Sequence, residues 1–112
     1  MSGSFELSND KAGKFRFNLL AINRRVILTS PAHGSREAAL DGIGSVRQNA
    51  QLRERFEKRT SSGGNSYFVL LTQNDEIIGQ GQMYAADSSC YAGIRSVMRN
   101  AATATLLDRT TK

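Results

Sequence analysis

The chain has 112 residues and a net charge of +5, and its composition is ordinary for a soluble globular protein. Its longest apolar runs, Val26–Leu28 and Phe68–Leu71, are far shorter than the roughly 20 residues of a membrane helix, and its start lacks the apolar segment of a signal peptide. A single cysteine excludes an internal disulfide. We therefore expect a cytoplasmic protein without membrane association. The length predicts one domain over residues 1–112.

The first part of the chain predicts three strands. Phe5–Leu7 alternates apolar and charged residues, as a short half-buried strand does, and Phe15–Leu19 alternates over a longer run. Asn23 follows, and because asparagine tolerates the left-handed backbone region, we expect a hairpin turn there. Val26–Ser30 is the returning strand, which ends near Pro31 because proline cannot donate a ladder hydrogen bond.

A helix follows these strands, and we predict Ser35 as its N-cap. Apolar residues then recur at spacings of three and four along one helical stripe, formed by Leu40, Ile43, Val46 and Ala50. Gly42 lies on the flank of this stripe, although glycine in a helix costs up to about 1 kcal/mol relative to alanine. A close approach of the helix to a sheet explains the glycine at this position.

The motif GIGSVRQNA at residues 42–50 returns as GIRSVMRNA at residues 93–101, which is 51 residues later. The same offset aligns nearly the entire chain without a gap. The chain therefore contains two repeated units, at about 4–56 and 53–109. Units of this length are short for a domain with its own core, so we expect the two units to share one core.

The second unit repeats the plan of the first. Its predicted elements are a junction strand Arg53–Arg59, the hairpin strands Tyr67–Thr72 and Glu76–Gly81, a helix from Asp87 to Ala101 and a last strand Thr103–Asp108. On that helix, the residues expected to face inward are Tyr91, Ile94, Val97, Met98 and Ala101.

These elements predict an α+β fold, in which two strand-strand-strand-helix-strand units form one antiparallel sheet with both helices on one face. Alternation along the central strands places one set of side chains under the helices: Phe17, Leu19, Ala21, Phe68, Leu70 and Thr72. The intervening residues then face the open side of the sheet. On the junction strand, Phe56 is expected to point inward and the arginines outward.

The chain resembles the YegP-like family of small bacterial proteins, built on a domain of unknown function that often occurs in tandem. The matching features are the turn asparagines Asn23 and Asn74, the GIxSVxxNA helix, and the strands Phe15–Leu19 and Tyr67–Leu70. The resemblance covers roughly residues 4–108 and implies a single sheet in which the C-terminal strands are exchanged between the units. The family usually has glycine after each turn asparagine, where this chain has Arg24 and Asp75. It has no established activity, so the resemblance implies no catalytic residues.

The residues themselves offer no candidate catalytic, metal or cofactor site. A metal site needs three or four ligands, and the chain has one histidine, His33, and one cysteine, Cys90. No lysine or arginine adjoins Cys90 in sequence to lower its pKa, so a small buried filler in a helix is the simpler interpretation. Ser45 and Ser96 recur in the repeat, but they lie on helices without a histidine that serves both. A small enzyme is therefore the least supported of three hypotheses of function, and the other two concern binding.

Two sets of residues are candidate binding surfaces on the open sheet face. The first is basic, with an aromatic ring that can stack on a nucleic-acid base, and consists of Arg16, Arg24, Arg25, Arg53, Arg55, Arg59 and Tyr67. The second is apolar and suits a protein partner or self-association, and consists of Leu20, Ile22, Val69 and Leu71.

These surfaces lead to two further hypotheses of function. The first is a non-enzymatic binding or interaction module, and the alternative is a weak, sequence-tolerant nucleic-acid binder that uses the basic face. Residues 1–60 contain eleven Lys and Arg against six Asp and Glu, whereas residues 61–112 contain four of each. Such asymmetry is typical of proteins with an anionic partner, but it also occurs on solvated basic surfaces. Strand twist or a folded tail would likewise make the apolar patch smaller than alternation suggests.

Overall fold

The computed structural model describes residues 3–111, and in this range it contains seven strands and two helices. In chain order the elements are β1 (Ser4–Asn9), β2 (Phe15–Leu20), β3 (Val26–Thr29), α1 (Arg36–Asn49), β4 (Phe56–Thr60), β5 (Ser66–Leu71), β6 (Ile77–Gln80), α2 (Asp87–Ala101) and β7 (Thr105–Asp108). Within the described range, neither helix has the length and apolar character needed to cross a membrane.

All seven strands form one sheet in the order β4-β5-β6-β3-β2-β1-β7. Neighbouring strands are antiparallel, except that β7 runs parallel to β1, so the sheet is mixed rather than wholly antiparallel as predicted. The predicted α+β fold of two repeated units is confirmed, and the last strand of the second unit pairs with the first unit, as exchange requires.

A pseudo-twofold axis passes through the centre of the sheet. There β3 and β6 meet at one pair of residues, Thr29 and Gln80, which are equivalent positions of the repeat. Two equivalent residues can face each other in an antiparallel pair only if a twofold axis passes between them. This axis relates β1-β2-β3 to β4-β5-β6, and within residues 3–111 no strand lies beside β4 as the counterpart of β7.

The core lies between the sheet and the two helices. Phe17 on β2 and Phe68 on β5 are buried there, as strand alternation predicts. Each makes an edge-to-face aromatic contact with a phenylalanine of the neighbouring strand, Phe5 or Phe56, and both pairs have ring centroids 5.8 Å apart. The four rings occupy equivalent positions, so the repeat of the sequence is also a repeat of the packing.

The two helices pack close to the sheet at their repeated glycines. The Ser35 hydroxyl accepts a hydrogen bond from a first-turn backbone N–H at 3.0 Å, so α1 has the predicted N-cap. A Cβ atom on Gly42 would lie 3.0 Å from Nε2 of His33, and a Cβ atom on Gly93 would overlap the hydroxyl of Tyr84. Close approach therefore explains why both helices contain glycine at this position.

Two local predictions are wrong. Arg53–Arg55 form a turn of 3₁₀-helix, and the strand begins only at Phe56. On α2, Tyr91 is exposed, and the buried stripe consists of Cys90, Ile94, Val97 and Ala101. These four residues are spaced by four, three and four, as one helical face requires, whereas Tyr91 is one residue out of phase.

The hairpin turns after β2 and β5 have the same conformation, although neither contains glycine at the position after the asparagine. Arg24 has φ of 69° and Asp75 has φ of 63°, both in the left-handed region. The N–H of Arg24 donates to the carbonyl of Ala21 at 2.8 Å, and the N–H of Asp75 donates to that of Thr72 at 3.0 Å. A residue with a Cβ atom is strained there by roughly 1 kcal/mol.

Candidate binding surfaces

The residues of the predicted basic surface fall into three groups. By strand alternation, Arg16 on β2, Arg59 on β4 and Tyr67 on β5 lie on the open sheet face. Arg59 is opposite Tyr67, but four strand spacings of about 4.8 Å separate β4 from β2. Nε of Arg59 donates to the Glu57 carboxylate at 2.6 Å, and this bond raises the pKa of the guanidinium. The charge of Arg59 is therefore already partly neutralised.

Arg53 and Arg55 lie beside the helices, and the prediction that they face outward from the sheet is wrong. The Arg53 guanidinium lies 5.9 Å from the ring centroid of Tyr91 on α2. Nη1 of Arg55 donates to Oδ1 of Asn49 at 2.8 Å, at the end of α1. These contacts form because the strand starts only at Phe56, so both arginines connect the junction to the helices.

The third group, Arg24 and Arg25, lies in the hairpin turn between β2 and β3. Both side chains are exposed, and within residues 3–111 neither forms an ion pair. The structure therefore places these two cations away from the basic residues of the open face.

The four residues of the predicted apolar surface do not form one exposed patch. Leu20 is 6 % and Val69 is 1 % exposed, Leu71 is half-buried, and Ile22 is 56 % exposed just past the end of β2. Leu20 and Val69 lie on interior strands, where side chains of two neighbouring strands cover them. Alternation gives the face of a residue correctly but says nothing about this lateral cover.

A groove of about 460 Å³ opens at the centre of the open sheet face, and we call it the central groove. It lies over the single residue pair that joins β3 to β6. Its lining includes Arg16, Thr29, Pro31, Ile77, Gln80, Gln82 and Met83. Of these residues only Arg16 belongs to the predicted basic surface. The others were not predicted, although Thr29 and Gln80 are equivalent in the repeat and an equivalent pair indicates the centre of a twofold sheet.

Each end of the molecule has a hollow between the hairpin turn of one unit and the helix of the other. The first is lined by residues of the Asn23 turn together with Ser96, Arg99 and Asn100 of α2. The second is lined by residues of the Asn74 turn together with Ser45, Gln48 and Asn49 of α1. The lining residues are equivalent in the two units, so the twofold repeat builds both hollows.

The repeated asparagine of the helix motif holds each helix end to a neighbouring segment. Oδ1 of Asn100 accepts from the buried N–H of Gly3 at 3.0 Å, and its Nδ2 donates to the Ser96 carbonyl at 2.8 Å. Asn49 donates to the carbonyl of Ser45 at 2.9 Å and accepts from an arginine. The motif therefore has a structural role on both helices.

Comparison with known proteins places the chain in a family. A family model described as "Domain of unknown function (DUF1508)" matches twice, at residues 10–57 and 61–108. The chain belongs to the DUF1508 family. Over 110 residues it is 46 % identical to the UPF0339 protein YegP of Escherichia coli K12, with 98 % of this chain and 100 % of that protein covered. A UPF0339 protein of Pseudomonas aeruginosa is 41 % identical over 108 residues, with 96 % and 98 % covered.

Solved structures of DUF1508 relatives have the same fold. The solution NMR structure of Escherichia coli yegP, a protein of unknown function, matches with a TM-score of 0.94 at 46 % identity and covers 100 % of this chain and 97 % of its own. That of a UPF0339 protein from Shewanella oneidensis matches with a TM-score of 0.91 at 40 % identity, covering 98 % and 93 %. These similarities support the repeated α+β architecture and imply no activity for this DUF1508 chain.

The cysteine and the histidine of this DUF1508 protein pack against neighbouring side chains. The Cys90 thiol is buried, and burial raises its pKa, so it is protonated at neutral pH. The His33 ring stacks on Phe17 with centroids 5.8 Å apart, and Tyr84 occupies the equivalent place in the second unit. Among the described residues, no three of the types His, Cys, Asp and Glu are grouped so that they could hold a metal ion.

Proposed function

We propose that this protein is a non-enzymatic binding module that engages its partner in the central groove of the open sheet face. The observation that carries the proposal is the groove itself, at about 460 Å³ in the middle of a seven-stranded sheet whose helices lie on the other face. Binding sites are typically concave and combine apolar surface with a few polar groups, which is the composition of this lining.

We expect the partner to be an extended protein segment, because the groove offers both apolar contacts and hydrogen-bonding groups. Ile77 is 43 % and Met83 is 50 % exposed, so two large apolar side chains at the groove are available to a partner. Thr29 and Gln80 add a hydroxyl and an amide at the centre.

The charge of the groove favours a partner with a carboxylate. Arg16 lines the groove and, within the part of the chain that the structure describes, makes no ion pair. An exposed guanidinium can form two parallel hydrogen bonds with a carboxylate. We therefore expect the partner segment to present an acidic residue beside an apolar one.

A display selection on the full chain tests this proposal. Peptides selected from a random library are expected to be acidic and apolar, and titration into isotope-labelled protein should shift the amide signals of Thr29, Gln80 and Gln82. Arg16→Gln should weaken binding about tenfold, the order of one charge-assisted hydrogen bond. The matched control is Arg59→Gln, which removes one charge from the same face but outside the groove and should change affinity by less than about twofold.

The proposal fails if the selected peptides shift only helix signals, or if the two variants bind equally well. A titration with single-stranded oligonucleotide under the same conditions tests the alternative, sequence-tolerant nucleic-acid binding on the sheet face. This alternative has weaker support, because among the basic residues predicted for that face Arg16 alone lies there without an ion pair in residues 3–111.

A further inference from the structure

Four arginines gather at one end of the molecule, and we call this end the basic pole. Arg24 and Arg25 come from the β2–β3 turn of the first unit, and Arg95 and Arg99 come from α2 of the second unit. We propose that the basic pole binds a small ligand that carries two or more phosphate groups. This site is separate from the central groove and does not depend on the function proposed there.

Two hollows on either side of the hairpin turn form the floor of the site. One, of about 640 Å³, is lined by Arg99, and the other, of about 560 Å³, is lined by Arg25. Both are also lined by Ala21, Asn23 and Ser96, so they meet between the turn and the helix. Arginines at both ends of a shared floor can contact separate anionic groups of one ligand.

Helix geometry places Arg95 beside Arg99, at the edge of the site. Residues at spacings of three, four and seven share one helical face, and from Ala92 these are Arg95, Ser96 and Arg99. Ala92 and Ser96 line one of the two hollows. Arg95 and Arg99 are four residues apart, which is about 6 Å along the helix axis. Arg99 lines the first hollow, and Arg95 is exposed one helical turn before it.

Within residues 3–111 the arginines of the basic pole form no ion pair, whereas seven other cations of this range have partners. Four cations form ion pairs with carboxylates, namely Arg36, Lys58, Arg59 and Arg109. Three others contact backbone carbonyls, an amide or aromatic rings, namely Arg47, Arg53 and Arg55. In residues 3–111, none of the four pole arginines forms an ion pair. Four like charges at one place repel each other unless an anion is bound.

The other end of the molecule serves as an internal comparison, and we call it the opposite pole. Its residues are Asp75 and Glu76 in place of Arg24 and Arg25, Gly44 and Gln48 in place of Arg95 and Arg99, and Asp41 in place of Ala92. The backbone at the two ends is equivalent. The serine and the two asparagines that line each hollow also occupy equivalent positions, namely Ser96, Asn23 and Asn100 at one end and Ser45, Asn74 and Asn49 at the other. The two units therefore differ here in charge at these equivalent positions, with four positive charges at one pole and three negative charges at the other, where Arg55 also lines the hollow and donates to Asn49. A requirement of the fold would act on both poles equally.

The chemistry of the site favours phosphate over other anions. Guanidinium groups bind phosphate oxygens through paired hydrogen bonds, and four of them match a ligand with several negative charges. Hydroxyl and amide groups of Ser96 and Asn23 can hydrogen-bond the remaining oxygens. The hollows have the volume of a small-molecule site, and the acidic opposite pole would repel a long polyanion that extended over the molecule.

Isothermal titration of the full chain with sodium diphosphate at low ionic strength tests the proposal. We expect one site that weakens as salt is added. The double variant Arg25→Gln with Arg99→Gln should bind at least about tenfold more weakly, because it removes two charge-assisted contacts. The matched control replaces Lys11 and Lys14 with glutamine, which lowers the net charge equally in an exposed turn outside the pole. Melting curves of each variant establish that it is folded.

A transplant of the pole makes the test stricter. The variant with Gly44→Arg, Gln48→Arg, Asp75→Arg and Glu76→Arg gives the opposite pole the same four arginines. A side chain at Gly44 meets no atom within 4 Å, and position 75 already has the turn conformation of Arg24. We expect the number of diphosphate sites to rise from one to two.

Three outcomes would overturn the proposal. The first is the absence of diphosphate binding, or equal losses in the pole variant and the lysine control, which would indicate a net-charge effect. The second is binding of an oligonucleotide without binding of diphosphate, which would indicate a macromolecular partner. The third is a concentration-dependent association of the chain that the pole variant abolishes while diphosphate does not bind, which would indicate that the opposite pole of another copy is the ligand.

Discussion

Replacing Asn100 with alanine should destabilise the protein more than the same change at the equivalent Asn49. Asn100 is buried, and its Oδ1 atom is the hydrogen-bond acceptor for the buried N–H of Gly3 at 3.0 Å. Alanine leaves this N–H without a partner, which costs about 1–3 kcal/mol, and removes the bond to the Ser96 carbonyl, worth about 1 kcal/mol. We therefore expect a loss of about 2–4 kcal/mol in the free energy of unfolding.

The equivalent change at Asn49 leaves a different group unpaired. Its Oδ1 atom accepts from the half-buried guanidinium of Arg55, which water can reach after the substitution. We expect Asn49→Ala to cost about 1–2 kcal/mol, since a hydrated guanidinium carries little desolvation penalty. The two variants thus remove the same side chain from equivalent positions, and the buried N–H of Gly3 makes the difference between them.

Urea unfolding followed by circular dichroism measures both effects. With a typical dependence of 1–3 kcal/mol per molar urea, Asn100→Ala should lower the midpoint by roughly 1–2 M. Amide exchange adds a local readout, because the N–H of Gly3 should lose protection in Asn100→Ala and keep it in Asn49→Ala. Equal midpoints for the two variants, or unchanged protection at Gly3, would refute the reasoning.

Three further predictions concern single side chains. Gly44→Ala should raise the free energy of unfolding by about 0.5–1 kcal/mol, since its Cβ atom meets nothing within 4 Å, and a drop in melting temperature would contradict this. Gly81→Ala should lower it by about 1–3 kcal/mol because the added methyl overlaps the buried ring of Phe68, and an unchanged urea midpoint would show that the ring moves freely. The Thr110 hydroxyl and an arginine of α1 lower the pKa of Asp108 from 3.8 to about 2, so the stability it contributes is complete above pH 3.8 and is lost as the pH falls towards 2. As the pH falls from 3.8 towards 2, the free energy of unfolding should fall less in Asp108→Asn than in the unmodified protein. Parallel curves for the two proteins would show that Asp108 does not contribute this stability.

The repeat and the core could be predicted from sequence because local spacing determines them. Phe17 and Phe68 are both buried because strand alternation has a period of two wherever the strand goes. Ser35 begins α1 because its hydroxyl satisfies a first-turn N–H, which is also a local property. The burial of Cys90, and with it the buried face of α2, could also have been predicted, since free cysteine is among the most frequently buried residue types.

The candidate sites could not be predicted in the same way because they depend on contacts between distant parts of the chain. Arg55 lies in a 3₁₀ turn before β4 and donates to Asn49, and no residue pattern indicates this contact. Val69 is covered by side chains of β4 and β6 on its two sides, and alternation along β5 alone does not indicate this cover. The basic pole joins a turn at residue 24 to a helix at residue 99, and only a comparison of charges between equivalent positions of the two units would have drawn attention to it.

The pairing of the first strand with the last determines how the molecule resists mechanical force. β1 and β7 run parallel and adjacent, with backbone hydrogen bonds from Thr105 to Gly3 and from Arg109 to Leu7. When the two chain ends are pulled apart, the strands are drawn in opposite directions along their length, so these bonds are loaded in shear and must break together rather than one at a time. The ion pair between Arg109 and Glu6, at 2.8 Å, is loaded in the same direction. A force that separates these two strands along their length therefore acts on the whole β1–β7 pair at once.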